Sequence, residues 1–170
     1  MMVGMSTLHE TPMQASAPAK VADVATTGVI IVDHGSRREE SNRMLEQFVE
    51  DFRAFSPYEI IEAAHMELSE PSIDTAFERC VARGAKRVVV IPYFLLPGKH
   101  WEEDIPELVK EAASRYPGIE FLVGAPIGLH PMMRNVIQAR LDHCLAHVAG
   151  NAPECESCAG TGRCAMQRVE

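Results

Sequence analysis

The sequence holds no apolar run long enough to span a bilayer, so no membrane-spanning helix is expected. Basic charge is in deficit: 16 Lys and Arg stand against 24 Asp and Glu, for a net charge of −8 and a pI near 5.4. Nucleic-acid binders need a basic face to neutralise phosphates, so no nucleic-acid partner is expected. A phosphate-cradling GxxxxGK(S/T) loop is missing, so nucleotide hydrolysis is not implied. Residues 1–27 have neither the charged start nor the apolar block of a secretory signal. They carry one Lys and no Arg, a poor composition for an organelle transit peptide. A cytoplasmic setting follows by default. The five cysteines then read as reduced thiols or ligands rather than disulfides.

What is present suits one domain with a real core: 170 residues, 46% hydrophobic and 24% charged. Residues 1–27, rich in Ala, Ser, Thr, Pro and Met, read as a mobile tail. Residues 28–149 carry the periodic pattern, and residues 150–170 form a Cys-rich C-terminal segment.

The stretch GVIIVDHGSRREESNRML organises the chain. Val29 to Val32 predict a strand buried on both faces. Gly35 permits a tight turn after it. Ser36 with Glu39 makes a capping-box pattern for a helix presenting Met44, Leu45, Phe48, Val49 and Phe52 on one face. A second strand is expected around Ile60 and Ile61, and a helix opening at Glu70-Pro71-Ser72 with proline in its first turn. That helix would end at Gly84. Val88 to Ile91 form the strongest strand, stopped by Pro92. A helix follows over 101–115, irregular at Pro106, then a fourth strand over 119–124. The last helix, 131–148, offers Met132, Val136, Ile137, Ala139 and Leu145 for packing. Strand and helix alternate four times, which implies an α/β fold with a four-stranded parallel sheet flanked by helices.

In such sheets ligands bind beyond the strand C-termini. His34 and His100 each follow a β-branched strand with a glycine close by, so both fall on that edge. Two imidazoles on one rim can hold a divalent metal or move protons near neutral pH. Glu67, just past the second strand, can complete a metal site or take a proton, although a solvated loop acid is the plainer reading. His65 is either a ligand or a packing residue. Arg37, Arg38, Arg43 and Lys99 form a local basic rim suited to a polyanionic small ligand. Against that stands simple helix-surface pairing, with Arg43 and Glu39 at i, i+4 spacing. The apolar residues around His100, from Tyr93 to Leu96 and Trp101, can wall a flat macrocycle. Cys144, Cys155, Cys158 and Cys164 supply four thiolates for an iron–sulfur cluster or zinc. Cys80 reads as a buried apolar residue.

Taken together, VDHGSRREESN, AAHMELSEPSI, GAKRVVVIPYFLLPGKHWEEDIP, GAPIGLHP and CESCAGTGRC resemble the ATP-independent tetrapyrrole chelatases, above all the short sirohydrochlorin ferrochelatases of the plant and bacterial type. The resemblance implies a single chelatase-like half-domain that pairs with a second copy as a homodimer. It implies insertion of Fe(II) into the tetrapyrrole sirohydrochlorin, giving sirohaem with release of two protons. His34 and His100 would then be metal ligands and proton acceptors, with Glu67 the acid after the second strand. Cys144, Cys155, Cys158 and Cys164 match the iron–sulfur cysteines of the plant-type members. Two rival readings stand beside this one. The first is a cobalt or nickel chelatase of the same fold. The second is a non-enzymatic tetrapyrrole or metal carrier, or a regulatory protein, with a redox-sensing cysteine tail.

Overall fold

The computed structural model describes residues 23–167; residues 1–22 of the expected tail lie outside the described residues. Structure begins earlier than the predicted domain start at residue 28. Val24–Thr26 form one 3₁₀ turn, with the Asp23 carboxylate accepting from Ala25 N at 3.2 Å, and Thr27 already belongs to the first strand.

Four parallel strands form one sheet in the order β2-β1-β3-β4: β1 Thr27–Asp33, β2 Ile60–His65, β3 Arg87–Pro92 and β4 Glu120–Val123. Between and after them run α1 Glu39–Phe55, α2 Ile73–Ala82, α3 Ile105–Ser114 and α4 Met133–Val148. β1 is central, and its first six residues are buried, as the continuous apolar run predicts. On one face Ile30, Val32, Val88 and Val90 pack against Phe77 of α2 and Val109 of α3. On the other, Val29, Ile31, Ile61 and Ala63 pack against Leu45 and Val49 of α1. Full burial of a side chain such as Phe77 contributes roughly 1.5–3 kcal/mol relative to leaving it in water.

The edge strand β2 is protected by charge. Arg53 Nε donates to the Ile61 carbonyl at 2.9 Å and Arg83 to that of Glu59, while the nearly buried Glu62 carboxylate takes Arg83 at 2.8 Å and Arg53 at 3.6 Å. These guanidiniums occupy backbone acceptors that an unpaired edge would offer to another strand.

Four local expectations differ. Ser36 is not the cap of α1: Arg38 is the N-cap and no side chain caps the helix. Ser36 Oγ instead accepts from Arg38 N, and Asn42 holds the Ser36 backbone through two hydrogen bonds of 2.8 and 2.9 Å. A buried amide inside the first turn thus replaces the expected box. On α1 itself, Leu45 and Val49 are buried but Met44 and Phe48 are exposed. For α2, Pro71 lies before the helix rather than in its first turn. Ser72 is the N-cap, accepting from Thr75 N at 3.3 Å. The helix after the third strand opens as a π-helical turn, His100–Asp104, that runs directly into α3, and Pro106 sits in the first turn of α3, next to the change of helical pitch.

The largest departure is α4. It starts at Met133, and none of its residues is buried; Val136, Ile137 and Leu145 are all exposed, as are Met132 and Ala139 beside and within it. On the sheet face covered in part by α1, Val29, Ile31, Ile91, Phe48, Met133 and Val136 help line a cavity of about 580 Å³. β4 is exposed along most of its length.

Candidate metal centre

The strands end in step: Asp33 of β1 is in register with His65 of β2, and Val32 with Pro92 of β3. The loops beyond them are stitched by backbone. Met66 N donates to Asp33 O at 2.8 Å, Glu67 N to His34 O at 3.1 Å, and Tyr93 N to Val32 O at 2.7 Å. Gly35 (φ +84°) makes this close approach possible, because a Cβ there would lie 2.0 Å from the Glu67 carbonyl oxygen.

This scaffold brings three predicted residues to one mouth. The rings of His34 and His100 lie 5.1 Å apart, inclined at 71°. His34 Nε2 is 3.1 Å from Glu67 Oε1. All three side chains are about half exposed, at 42%, 45% and 52% for His34, His100 and Glu67. His34 Nδ1 lies 3.1 Å from the Gly35 carbonyl oxygen, and His100 Nδ1 lies 2.7 Å from Asp104 Oδ2. A carbonyl oxygen can only accept, so His34 Nδ1 carries a proton; an ionised Asp104 imposes the same on His100. Either ring then has Nε2 to offer a cation, the arrangement usual for metal-binding imidazoles. A lone pair at His34 Nε2 would face the Glu67 carboxylate acceptor to acceptor, so a positive species belongs between them: a proton, or a metal ion in its place.

Sequence reading missed Asp104. The i, i+4 spacing from His100 was the available signal. It also left His65 open. The side chain is fully buried, with Nδ1 2.6 Å from Asp33 Oδ1, so it does not belong to the solvent-facing mouth. Glu67 and His100 also border a groove of about 460 Å³ carrying Asp104, Glu107 and Glu111. Its acidic walls favour cations. Phe94 packs on the core and tilts toward His100 at 6.2 Å, while Leu95 and Leu96 are exposed. The indole N–H of Trp101 donates to Gly124 O at 3.0 Å, fastening the π-helical turn to the loop after β4.

Arg37, Arg38 and Lys99 are exposed in the loops that carry His34 and His100. Arg43 is ion-paired with Glu39 along α1, the surface pairing foreseen for it.

The cysteine constellation is carried by α4 and the loop after it. Cys155 and Cys158 face each other across a turn in which Cys158 N donates to Cys155 O at 3.0 Å. The backbone N–H of Ser157 lowers the Cys155 thiol pKa, while contact with Cys155 pushes Cys158 up to about 11. Desolvation and contact with Cys164 raise Cys144. An Arg140–Glu156 ion pair ties this loop to α4. Cys80 is fully buried and pushed up to about 12 by that burial, as an inert packing thiol should be. Among the described residues, no three His, Cys, Asp or Glu side chains are already gathered closely enough to hold a metal ion.

The fold is an α/β protein with a parallel sheet whose carboxyl edge presents two imidazoles and a carboxylate at one open mouth. Residues 28–144 match the CbiX family model. The chain belongs to the CbiX family. It is 56% identical over 139 residues to the chloroplastic sirohydrochlorin ferrochelatase of Arabidopsis thaliana, covering 82% of this chain and 62% of the relative. To the sirohydrochlorin cobaltochelatase of Priestia megaterium it is 36% identical over 115 residues, covering 66% and 37%. Among solved structures, the sirohydrochlorin chelatase SirB of Bacillus subtilis subspecies spizizenii in complex with cobalt superimposes with a TM-score of 0.65 at 36% identity, over 69% of this chain and 50% of that one. The chain spans less than two thirds of the length of these curated relatives. Among the described residues no helix is long and apolar enough to cross a membrane.

Proposed function

We propose that this protein is a sirohydrochlorin ferrochelatase, a lyase that inserts Fe(II) into sirohydrochlorin. The observation that carries the reading is the 5.1 Å approach of the His34 and His100 rings beside Glu67 at the open end of the sheet. Insertion requires two things of the protein: partial stripping of water from the incoming ion, and removal of two pyrrole protons. Imidazole nitrogen and carboxylate oxygen suit Fe(II) as transient ligands and can each take a proton. Asp104 and the Gly35 carbonyl engage Nδ1 of the two rings, which would leave Nε2 of each for the ion. Arg37, Arg38, Arg43 and Lys99 would pair with the macrocycle's carboxylates; Arg43 must first leave Glu39. Leu95 and Leu96 would lie against its apolar faces.

Replacing His34 or His100 with Ala should lower the anaerobic metallation rate by about a thousandfold, the scale of losing a positioned proton acceptor and ligand. Absorbance of the macrocycle reads it. Unimpaired insertion by both single variants would end this reading. Cobalt is the favoured second metal, because imidazole accepts it equally well and the Priestia relative is a cobaltochelatase. Rates with Fe(II), Co(II) and Ni(II) side by side separate these.

A homodimer completes the proposal. The exposed apolar residues of α4 and the open sheet face over β3 and β4 are two surfaces that a second copy would cover reciprocally. The donor set at Cys144, Cys155, Cys158 and Cys164 fits an iron–sulfur cluster: all are free, partly exposed, and the Cys155–Cys158 and Cys144–Cys164 pairs are in contact. These four residues would hold it, and it would supply one-electron redox chemistry. Five free thiols fit a reducing compartment, the cytoplasm among them.

A further inference from the structure

We infer that Asp33 and His65 form a positioning pair that sets the orientation of His34, and through it the metal centre. The inference rests on the metal-centre reading above. Asp33 Oδ1 accepts two hydrogen bonds, one from Gly35 N at 2.9 Å and one from His65 Nδ1 at 2.6 Å. Gly35 is therefore held through both its N–H and its carbonyl. Its N–H is held by Asp33, and its carbonyl accepts from His34 Nδ1 at 3.1 Å. A continuous line of hydrogen bonds runs from His65 through Asp33 and Gly35 to the His34 ring.

His65 makes this line rigid. It is completely buried, and its register partner across the sheet is Asp33 itself. Its backbone N–H is taken by Pro71 O at 2.8 Å. Its other ring nitrogen, Nε2, is buried with no hydrogen-bond partner among the described residues. An apolar side chain of similar size would fill the same space without stranding a polar atom. Packing alone thus does not explain an imidazole at this position; the contact with Asp33 does. The adjoining geometry leaves little slack, because a Cβ on Gly35 would come within 3.1 Å of the His65 Cβ and 2.0 Å of the Glu67 carbonyl oxygen. A loosened Asp33 would let the turn, and with it His34 Nε2, drift from Glu67.

The test compares His65→Asn with His65→Gln in the full-length protein. The Asn amide nitrogen stands near the place of Nδ1, whereas that of Gln stands nearer Nε2. Co(II) alone is the probe, titrated by its visible d–d absorption after the accessible thiols of every variant have been alkylated with iodoacetamide, so that Cys144, Cys155, Cys158 and Cys164 cannot take the ion, with far-UV circular dichroism recording the fold. His65→Gln should weaken Co(II) binding about tenfold and shift the cobalt bands, the usual scale for losing a group that orients a ligand. His65→Asn should stay within about threefold of wild type with unshifted bands. Asp33→Asn keeps Oδ1 as an acceptor for both donors and should resemble His65→Asn, while Asp33→Ala should resemble His65→Gln. Equal Co(II) affinity and spectra for the Asn and Gln variants of His65, whether both normal or both impaired, would overturn the inference. A His34→Ala control separates the two levels. If that variant binds Co(II) normally, the metal-centre reading fails; if it loses Co(II) while His65→Gln keeps it, only the positioning pair fails.

Discussion

The mouth of the sheet and the α4 arm are built by opposite rules. At the mouth His34 pairs with Glu67 and His100 with Asp104, and just beneath it buried His65 pairs with Asp33, which also accepts from Gly35 N. Neighbouring strands deliver these groups in register, so their spacing is inherited from the sheet. α4 has a full helical length but no buried residue, and it displays Val136, Ile137, Leu141 and Leu145 to solvent. One region is finished within the chain; the other has the composition of an interior and the exposure of a surface. The proposed chelating site needs positional precision at the first, whereas the second is suited to be completed from outside.

Stability should separate the two regions most sharply. Phe77→Ala in the core should cost about 3–5 kcal/mol in urea unfolding, whereas Leu145→Ala in dilute monomer should cost under about 0.5 kcal/mol. Equal losses under those conditions would erase the distinction. The next effect concerns assembly. Val136→Asp places a charge in the cavity wall shared by α4 and the sheet, and it should shift the sedimenting species from dimer to monomer at micromolar concentration. A wild-type chain that sediments as a monomer would show the arm to be free in solution. The smallest effect lies in the cysteine loop. At pH 8 iodoacetamide should modify Cys155 about tenfold faster than Cys158. A lowered thiol pKa gives more thiolate at that pH, and one near 11 leaves the Cys158 thiol protonated. Buried Cys80, near 12, should stay unmodified until the protein unfolds. Mass spectrometry of the peptides reads all three; equal rates for Cys155 and Cys158 would remove the proposed asymmetry.

Much of this was legible in the residues. Apolar runs such as Val88 to Ile91 and the alternation of strand and helix specify a parallel sheet, and parallel strands oblige His34, Glu67 and His100 to share an edge. The hidden parts are those where a local signal met a competing partner. Ser36 has the composition of a helix cap, yet Asn42 claims its backbone and the helix starts later. Glu39 keeps the i, i+4 partner Arg43 that its spacing also offered and closes no capping box. α4 has apolar residues enough to predict packing, but a sequence does not say whose core they enter. The Asp33–His65 pair spans 32 positions of chain and emerges only when β1 and β2 lie side by side.

The hydrogen bond from Trp101 to Gly124 has a practical corollary. The chain possesses a single tryptophan, and it is next in sequence to His100. All indole emission therefore originates beside one of the two imidazoles, with no background from elsewhere in the polypeptide. Nature has in effect labelled this loop with its own lamp, and excitation at the red edge of the indole band, where the three tyrosines do not absorb, watches that corner alone.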